Sequence, residues 1–414
     1  MNSISVAVSF VLGLISTKII SLFLGTAGMA VIGSFRNFST MLKSVSTIGV
    51  NNSLIKLFVE NKENKKELSV VYSTFFWIFL FISVIIGCLT VLFSKSISQF
   101  LFYEETYFIP IRFFGAVLPL AVINTFWLAI YNGLEQYKNI VLIQIISNIL
   151  VFSVSTILIL NNNIYGGLLS IAVGELLMVF VTFLFVRRDI EDFKFNLQKI
   201  ISKKYISIIK KFSAMALLSG ILAPLTLLLI RNLIVSVEGI HKAGIWDAVN
   251  RLSSYYMMIF SSSLSMYYMP KLASLNTEKE FKSELKIYFK TFVPMFLALL
   301  VVIYFTKELI VKIAFTNEFS TINQLIIWQL FGDFFKIMTL AFGYQIVVKT
   351  MMKRYIIGEI VFNLVYFGLV FFLLKTESIE GVIKAYFFTN LLYFLLILLM
   401  FRKVFYTIKQ SQNL

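Results

Sequence analysis

Residues 68–93 read LSVVYSTFFWIFLFISVIIGCLTVLF, and this stretch decides the fold. It holds no charged residue, whereas residues 61–67 just before it read NKENKKE. A helix needs about 20 apolar residues to cross roughly 30 Å of hydrocarbon, because it rises about 1.5 Å per residue. The stretch therefore predicts a helix that spans a membrane.

The rest of the chain repeats this pattern. Apolar residues make up 59% of the 414 positions, charged residues 14%, and the mean hydropathy is +0.87. A water-soluble domain could not carry so much apolar surface, so we predict an all-α polytopic membrane protein. About twelve helices are predicted, in two six-helix lobes: Asn2–Leu24, Ala30–Phe58, Leu68–Phe93, Tyr107–Tyr131, Ile140–Leu160, Ile164–Val186, Phe212–Val237, Ala243–Met269, Tyr288–Phe305, Ile322–Val348, Tyr355–Leu374 and Gly381–Phe401.

Residue usage argues against catalysis. Cys88 and His241 are the sole cysteine and histidine, which removes disulfide frameworks, Cys/His metal sites and most pairings of a nucleophile with a base. No Gly-rich loop ends in Lys-Ser or Lys-Thr, so no ATP-binding segment is predicted. The sequence therefore predicts no catalytic residue, no metal site and no enzyme.

The basic residues set the predicted orientation. Of the 37 lysines and arginines, 24 lie in alternate connections and at the C-terminal end, and only six lie in the intervening connections. Because cytoplasmic loops carry the excess of positive charge, the first set is predicted to be cytoplasmic, with both termini inside. This asymmetry accounts for the net charge of +16, so a nucleic-acid partner is not predicted.

The longest hydrophilic stretch divides the chain. Residues 187–211 contain eight basic residues and are predicted to form a cytoplasmic linker. The predicted organisation is therefore an N-terminal lobe (1–186), this linker, a C-terminal lobe (212–402) and a cytoplasmic tail (403–414).

A weak internal repeat supports two lobes. Ala27-Gly28, Arg36 and Lys56 recur as Ala243-Gly244, Arg251 and Lys271, at offsets of 216, 215 and 215 residues. Equivalent helices with the same orientation are a parallel-repeat arrangement that many transporters share.

Seven basic residues remain inside the predicted helices. A charge at membrane depth costs about 2.5 to 3.5 kcal/mol on insertion scales, so such residues usually face a hydrated cavity or a paired acid. They are the strongest functional signal in the sequence. The seven are Lys18, Arg36, Lys43, Arg112, Arg231, Arg251 and Lys336.

Two of these cations have an acid on the same helix. Asp247 lies four residues before Arg251, and Asp333 lies three residues before Lys336, so each acid can pair within its own helix. Such pairs are either neutralised elements that fix helix packing or parts of a site.

The other cations have no acid three or four residues away on a predicted helix. Interhelical acids such as Glu175 or Glu359 are the alternative partners, and Arg112 and Lys18 could instead snorkel toward an interface. If these cations face a cavity, they form a cationic lumen suited to an anionic ligand. The cations most difficult to explain otherwise are Lys18, Arg36, Lys43 and Arg231.

Amide and indole side chains accompany these charges. Asn37 follows Arg36 and Asn250 precedes Arg251, while Trp246 and Trp328 lie beside the two aspartates. Arginine forks for phosphate oxygens, amides for hydroxyls and aromatic faces for sugar rings would suit a sugar diphosphate. The tryptophans could equally belong to interfacial belts.

Three runs carry a resemblance to a known family. Residues 25–50 (GTAGMAVIGSFRNFSTMLKSVSTIGV), residues 243–275 (AGIWDAVNRLSSYYMMIFSSSLSMYYMPKLASL) and residues 328–349 (WQLFGDFFKIMTLAFGYQIVVK) resemble the Wzx O-antigen translocase family. Within that family they are most like the enterobacterial common antigen (lipid III) flippase type. The similarity extends at lower strength over nearly the full length, and the last run is the most specific.

This resemblance implies a fold and a function. The fold is that of the multidrug/oligosaccharidyl-lipid/polysaccharide exporter superfamily, with twelve helices in two lobes around a central cavity. The function is flipping of an undecaprenyl-diphosphate-linked oligosaccharide from the cytoplasmic to the periplasmic leaflet of a bacterial inner membrane, by alternating access and without a cofactor. A proton gradient, a sodium gradient or the membrane potential would drive it, and polysaccharide polymerase machinery would be the partner.

The residues expected to act follow from the charges above. Asp247 stands where the enterobacterial type usually has Gln, and Arg251 where it has a small polar residue, so the identity of the sugar does not transfer. The alternative function is a cation-coupled small-molecule or drug antiporter of the same superfamily, which would be expected to have an acidic lumen. The expected substrate-binding residues are Arg36, Lys43, Arg231, Arg251, Lys18, Lys336, Asn37 and Asn250, and the candidates for ion coupling are Asp247, Asp333, Glu175 and Glu359.

Overall fold

A computed structural model describes residues 2–49, 51–193 and 202–406, and these form helices joined by short turns. Within these ranges no strand occurs, which confirms the predicted all-α class. The helices are α1 (Asn2–Ser46), α2 (Asn51–Glu60), α3 (Lys65–Leu92), α4 (Ser94–Phe102), α5 (Phe108–Gly133), α6 (Tyr137–Phe193), α7 (Lys203–Glu238), α8 (Ile240–Ser274), α9 (Glu278–Ala314), α10 (Ile322–Val348), α11 (Met352–Met400) and α12 (Arg402–Tyr406), with a 3-10 turn at Asn317–Phe319.

Three of these helices are each two spans joined at one residue. Helices α1, α6 and α11 contain 45, 57 and 49 residues, far more than one crossing needs. Each is interrupted by a single residue of positive φ, namely Gly25, Asn163 or Ser378. At Asn163 and at Ser378 the chain reverses direction, as the close backbone contacts of the nearby Gly166 and Gly381 show.

Glycine makes these reversals possible. A Cβ atom on Gly166 would lie 1.9 Å from the carbonyl oxygen of Leu158, and one on Gly381 would lie 2.2 Å from that of Leu373. Each glycine follows the positive-φ residue of its turn by three positions. The two arms of each hairpin therefore pack with their backbones almost in contact.

The structure confirms about twelve spans. Eight described helices are long and apolar enough to cross a membrane, and three of them are the interrupted helices. Helix α8, with 35 residues, is long enough for a further crossing, although Asp247, Asn250, Arg251 and a run of serines keep it outside the eight apolar spans.

The turns repeat along the chain. Three of the six positive-φ residues described in the first half recur in the second at offsets of 214, 215 and 215 residues, close to the offsets of the sequence repeat, whereas Ile48, Gly49 and Tyr103 do not. The two halves therefore share three of their turns. The corresponding pairs are Gly25 and Gly239, Glu135 and Thr350, and Asn163 and Ser378.

One predicted helix is wrong in its extent. The apolar run Ala30–Phe58 does not continue as a single helix, since α1 ends at Ser46 and α2 begins at Asn51. Ile48 and Gly49 have φ values of 50° and 63°. Residues 43–53 read KSVSTIGVNNS, so a polar stretch accompanies this break.

The chain divides into two compact units. The predicted domain limits stay a prediction, and residues 194–201 of the predicted linker and 407–414 of the predicted tail lie outside the described residues. Unit 1 comprises Met1–Leu24 and Val31–Leu228, and unit 2 comprises Gly25–Ala30 and Leu229–Leu414.

Local contacts explain why the short segment Gly25–Ala30 belongs to unit 2. The Thr26 hydroxyl oxygen lies 2.7 Å from Nδ1 of His241, within hydrogen-bonding distance. A Cβ atom on Gly244 would lie 1.9 Å from the Thr26 carbonyl oxygen, so the start of α8 lies directly against this segment.

The hairpin geometry makes Gly381→Ala destabilising. Its methyl group would overlap the Leu373 carbonyl, and overpacking of this kind costs about 1–3 kcal/mol. The matched control is Gly368→Ala on the same helix, where a Cβ meets nothing within 4 Å. We expect a lower melting temperature in detergent for the first variant and an unchanged or higher one for the second. Equal melting temperatures would contradict the close approach.

Candidate functional site

The Arg231 guanidinium is buried and paired. Its side chain, on α7, is 2% exposed, and Nε donates to Oδ2 of Asp247 on α8 at 2.6 Å while Nη2 donates to Oδ1. The guanidinium also lies 5.4 Å from the ring centroid of Trp246. Arg231 therefore has an interhelical acid partner, the alternative that the sequence left open, and this partner is Asp247 rather than Glu175 or Glu359.

Asp333 is held by hydroxyl groups. Its side chain on α10 is fully buried, Oδ2 accepts from the hydroxyls of Ser253, at 2.7 Å, and Tyr256, and Oδ1 accepts from Tyr386 at 2.7 Å. Lys336 is exposed, and its ammonium lies 6.0 Å from the centroid of the Tyr386 ring. The predicted Asp333–Lys336 pair is therefore wrong, because hydroxyls from α8 and α11 satisfy the carboxylate instead.

Lys43 has an interhelical partner. Its ammonium lies 2.5 Å from Oε1 of Glu175 on the second arm of α6, with the side chains 31% and 12% exposed. The other candidate acid, Glu359, is half-buried on α11 in unit 2. Of the two alternatives, Glu175 is therefore the partner of Lys43.

Arg36 lines an internal cavity. It is exposed, and it borders a cavity of about 220 Å³ that lies inside unit 1. The neighbouring Asn37 and the more N-terminal Lys18 are half-buried on α1. Arg36 is thus a cation within a membrane span that borders open space.

The Arg251 region of α8 combines a cation with an amide. Arg251 is half-buried one turn after Asp247, and the Asn250 amide donates to the Trp246 carbonyl oxygen at 2.9 Å. Asn250 is therefore bonded within its own helix through one donor and keeps its amide oxygen and second N–H for a ligand.

The predicted site residues lie in both units. Contacts within each unit join Lys43 to Glu175 and Arg231 to Asp247. Unit 1 holds Lys18, Arg36, Asn37, Lys43 and Glu175, and unit 2 holds Arg231, Asp247, Asn250, Arg251, Asp333, Lys336 and Glu359.

The two tryptophans differ in location. Trp246 is 1% exposed and packs on Arg231, so the interfacial alternative fails for it. The Trp328 indole donates to Glu380 Oε1 at 3.1 Å and lies beneath the Lys384 ammonium, 5.1 Å from the ring centroid. These charged neighbours next to the Ser378 turn are typical of a membrane interface.

Sequence reasoning missed the hydroxyl groups around Asp333. Ser253, Tyr256 and Tyr386 lie 80, 77 and 53 residues from Asp333. Nothing in their local sequence distinguishes them from the many other serines and tyrosines of the chain. The one available signal was Asp333 itself, since a carboxylate in a membrane span requires donors from neighbouring helices.

Arg112, the remaining intramembrane cation, lies at a corner of unit 1. Its Nε donates to the Ser94 hydroxyl at 2.9 Å, and its guanidinium lies 4.8 Å from the Phe108 ring centroid. The side chain is exposed at the junction of α4 and α5. It therefore serves as a control for the other intramembrane cations.

Comparison with known sequences identifies related proteins. The family described as "Polysaccharide biosynthesis protein" matches residues 19–324. The lipid III flippase of Escherichia coli (strain K12) is 24% identical over 386 residues, which cover 92% of each chain. A putative O-antigen transporter of Shigella flexneri is 23% identical over 302 residues, 69% of each chain.

Solved structures share the fold. The lipid II flippase MurJ in an inward closed conformation matches with a TM-score of 0.75 and 16% identity, over 97% of this chain and 89% of that one. An inward-facing multidrug resistance MATE family transporter of the MOP superfamily matches with a TM-score of 0.72 and 13% identity, over 97% and 96%. The chain therefore has the helical fold that flippases and multidrug transporters share.

The buried pair predicts a non-additive effect on stability. Asp247→Ala leaves the Arg231 charge buried without its acid, and loss of one partner of a buried pair costs about 3–5 kcal/mol. Replacing both residues, as Arg231→Met with Asp247→Ala, removes that charge, so the double variant should melt at a higher temperature than Asp247→Ala alone.

The control is the exposed pair Lys56–Glu60, whose side chains are 66% and 54% exposed. Glu60→Ala should change the melting temperature in detergent little, because exposed pairs contribute about 0–1 kcal/mol. If the fall in melting temperature of the double variant at positions 231 and 247 equals the sum of the falls in the two single variants, the pairing is contradicted.

Proposed function

The chain belongs to the polysaccharide biosynthesis protein family, and from this membership we propose that it flips an undecaprenyl-diphosphate-linked oligosaccharide between membrane leaflets. It is a multi-pass membrane transporter and not an enzyme. The relatives named as a lipid III flippase and an O-antigen transporter support a lipid-linked glycan as the substrate.

The observation that carries the proposal is Arg36 on the wall of an internal cavity. An arginine inside a membrane span is costly unless it faces water or an anion. Its planar fork matches the oxygens of a phosphate group, which makes it a suitable anchor for the diphosphate. A transporter of cationic drugs would have no use for a cation in this position.

The proposed roles of the cations differ. Arg231 is committed to Asp247, so it acts as a positioning residue that keeps Asp247 and Trp246 in place. Arg36 is the cation of unit 1 proposed to bind the diphosphate, and Arg251, 215 residues later, is the corresponding cation of unit 2. Lys43 contributes after its ion pair with Glu175 exchanges for the substrate. The remaining members of the proposed substrate site are Lys18, Lys336, Asn37 and Asn250.

Membrane voltage gives the movement a direction. A diphosphate diester carries about two negative charges, and about 2.3 kcal/mol per charge at 100 mV gives about 4.6 kcal/mol in favour of outward movement. Resetting the empty cationic site calls for a proton or a sodium ion. Asp333 is the leading acid for this role, because hydroxyls rather than a cation hold it; Asp247 and Glu175 are paired, and Glu359 is the remaining candidate.

The cellular setting follows from the same proposal. The protein lies in the inner membrane of a bacterium, with both termini and the 187–211 segment in the cytoplasm. The substrate is released in the periplasmic leaflet, where polysaccharide polymerase machinery takes it up.

The test is flipping of a fluorescent undecaprenyl-diphosphate oligosaccharide in proteoliposomes. Arg36→Ala and Arg251→Ala should each lower the rate at least tenfold, since a hydrogen bond to a charged group contributes about 1.5–3 kcal/mol. Arg112→Ala is the control with the same chemical change, and it should flip at the wild-type rate.

Two results would contradict the proposal. If all three variants lose the same fraction of the flipping rate at equal expression and melting temperature, the cationic site has no specific role in transport. If the wild-type protein flips no lipid but exchanges small cations or drugs, it is a cation-coupled antiporter, the alternative function.

A further inference from the structure

The cavity beside Arg36 has polar side chains in an otherwise apolar wall, within the membrane-spanning part of unit 1. Both arms of α1 and both arms of α6 contribute to its wall. Its volume is about 220 Å³. Among its lining residues are Ser9, Ser16, Arg36, Asn148, Ser155 and Ser170.

Helix packing does not account for these small polar residues. Serines in membrane helices usually allow two backbones to approach closely. Here the serines border the cavity, so their small side chains leave space open between the helices instead of bringing two backbones together. An apolar bundle gains nothing from such a space, because polar groups at membrane depth are costly unless a partner satisfies them.

The hydrogen bonds in the wall define what the cavity can bind. The Ser9 hydroxyl donates to the Ser5 carbonyl oxygen and the Ser170 hydroxyl to that of Gly167, both at 2.7 Å. The Asn148 amide donates to the Ser9 oxygen at 2.8 Å. Because these hydroxyl hydrogens are engaged within the protein, the Ser170 oxygen can act toward a ligand only as an acceptor, and the Ser9 oxygen keeps one lone pair beside the bond it accepts from Asn148.

The polar side chains of the lining match a sugar and not a cation. Sugar hydroxyls donate hydrogen bonds to acceptor oxygens of this kind, and the Arg36 guanidinium adds donors for an anionic group. The lining contains no aspartate or glutamate, so nothing there would attract a cationic ligand. The volume is below the roughly 300–1,000 Å³ of pockets for drug-sized ligands, which suits a single ring.

We propose that this cavity binds one sugar ring of the lipid-linked oligosaccharide, with Arg36 beside the diphosphate. The inference rests on the proposed function and extends it, since it assigns the sugar to unit 1 and to residues that the charge pattern did not indicate. Recognition of the sugar and recognition of the diphosphate are then separable.

The experiment compares two serines two positions apart on the same arm of α6. Ser155 lines the cavity, whereas Ser153 is exposed and donates to the Ile149 carbonyl oxygen at 2.9 Å. Ser155→Leu fills the cavity and Ser153→Leu does not, although the chemical change is identical. Asn148→Ala is a second cavity variant that removes polarity without adding bulk.

Binding is measured in nanodiscs with two probes, undecaprenyl diphosphate and undecaprenyl diphosphate that carries one N-acetylglucosamine. Wild type should bind the sugar-bearing probe at least tenfold more tightly than the bare one. Ser155→Leu and Asn148→Ala should abolish that difference while affinity for the bare probe stays within twofold, and Ser153→Leu should match wild type. Melting temperatures of all variants confirm folding.

The outcomes separate this inference from the proposed function. If wild type binds both probes equally, or if the cavity variants retain the preference for the sugar, the inference is overturned even when flipping is intact. If the cavity variants lose the preference for the sugar-bearing probe but wild type flips neither lipid, the sugar subsite stands and the flippase proposal fails.

Discussion

Hydrocarbon offers no hydrogen-bond partners, and the structure depends on this constraint throughout. Every backbone group at membrane depth must be satisfied by the protein, so the spanning segments are helices and their connections are short. At Asn163 and Ser378 the chain turns back within a single residue, which keeps exposed backbone to a minimum. The glycines that follow these turns allow the two arms to pack directly against each other.

The same constraint governs the charges. Arg231 is bonded to Asp247, Lys43 to Glu175, and Asp333 receives three hydroxyl groups. These partners lower the free-energy cost of burying each charge. Because they occupy the charged groups, they also limit where a further anion can bind. Arg36 borders a cavity that has serine and asparagine side chains in its wall, and the proposed function centres on it for this reason.

Much of the fold could be predicted from hydropathy alone, and the site could be predicted only in part. The span Ile322–Val348 has the predicted limits, because the polar Ser320 and Thr321 precede its apolar run and Lys349 follows it. The break between α1 and α2 lies in the polar stretch KSVSTIGVNNS of residues 43–53, which the prediction of one long helix passed over. Spacing along single helices did not identify Asp247 as the partner of Arg231, because it lies on another helix. Glu175 was one of two interhelical acids considered for Lys43, and only the structure distinguishes it from Glu359.

The most direct test of the central claim is whether the intramembrane cations recognise the diphosphate of a polyprenyl lipid. Native mass spectrometry of the purified protein, with undecaprenyl diphosphate and undecaprenol supplied at equal concentration, measures this in a single experiment. The two lipids share the same tail, so hydrophobic contacts contribute equally to both. We expect wild type to retain the diphosphate and to release the neutral alcohol. Equal retention of the two lipids would show that the protein binds the tail and not the charge, and would contradict the account.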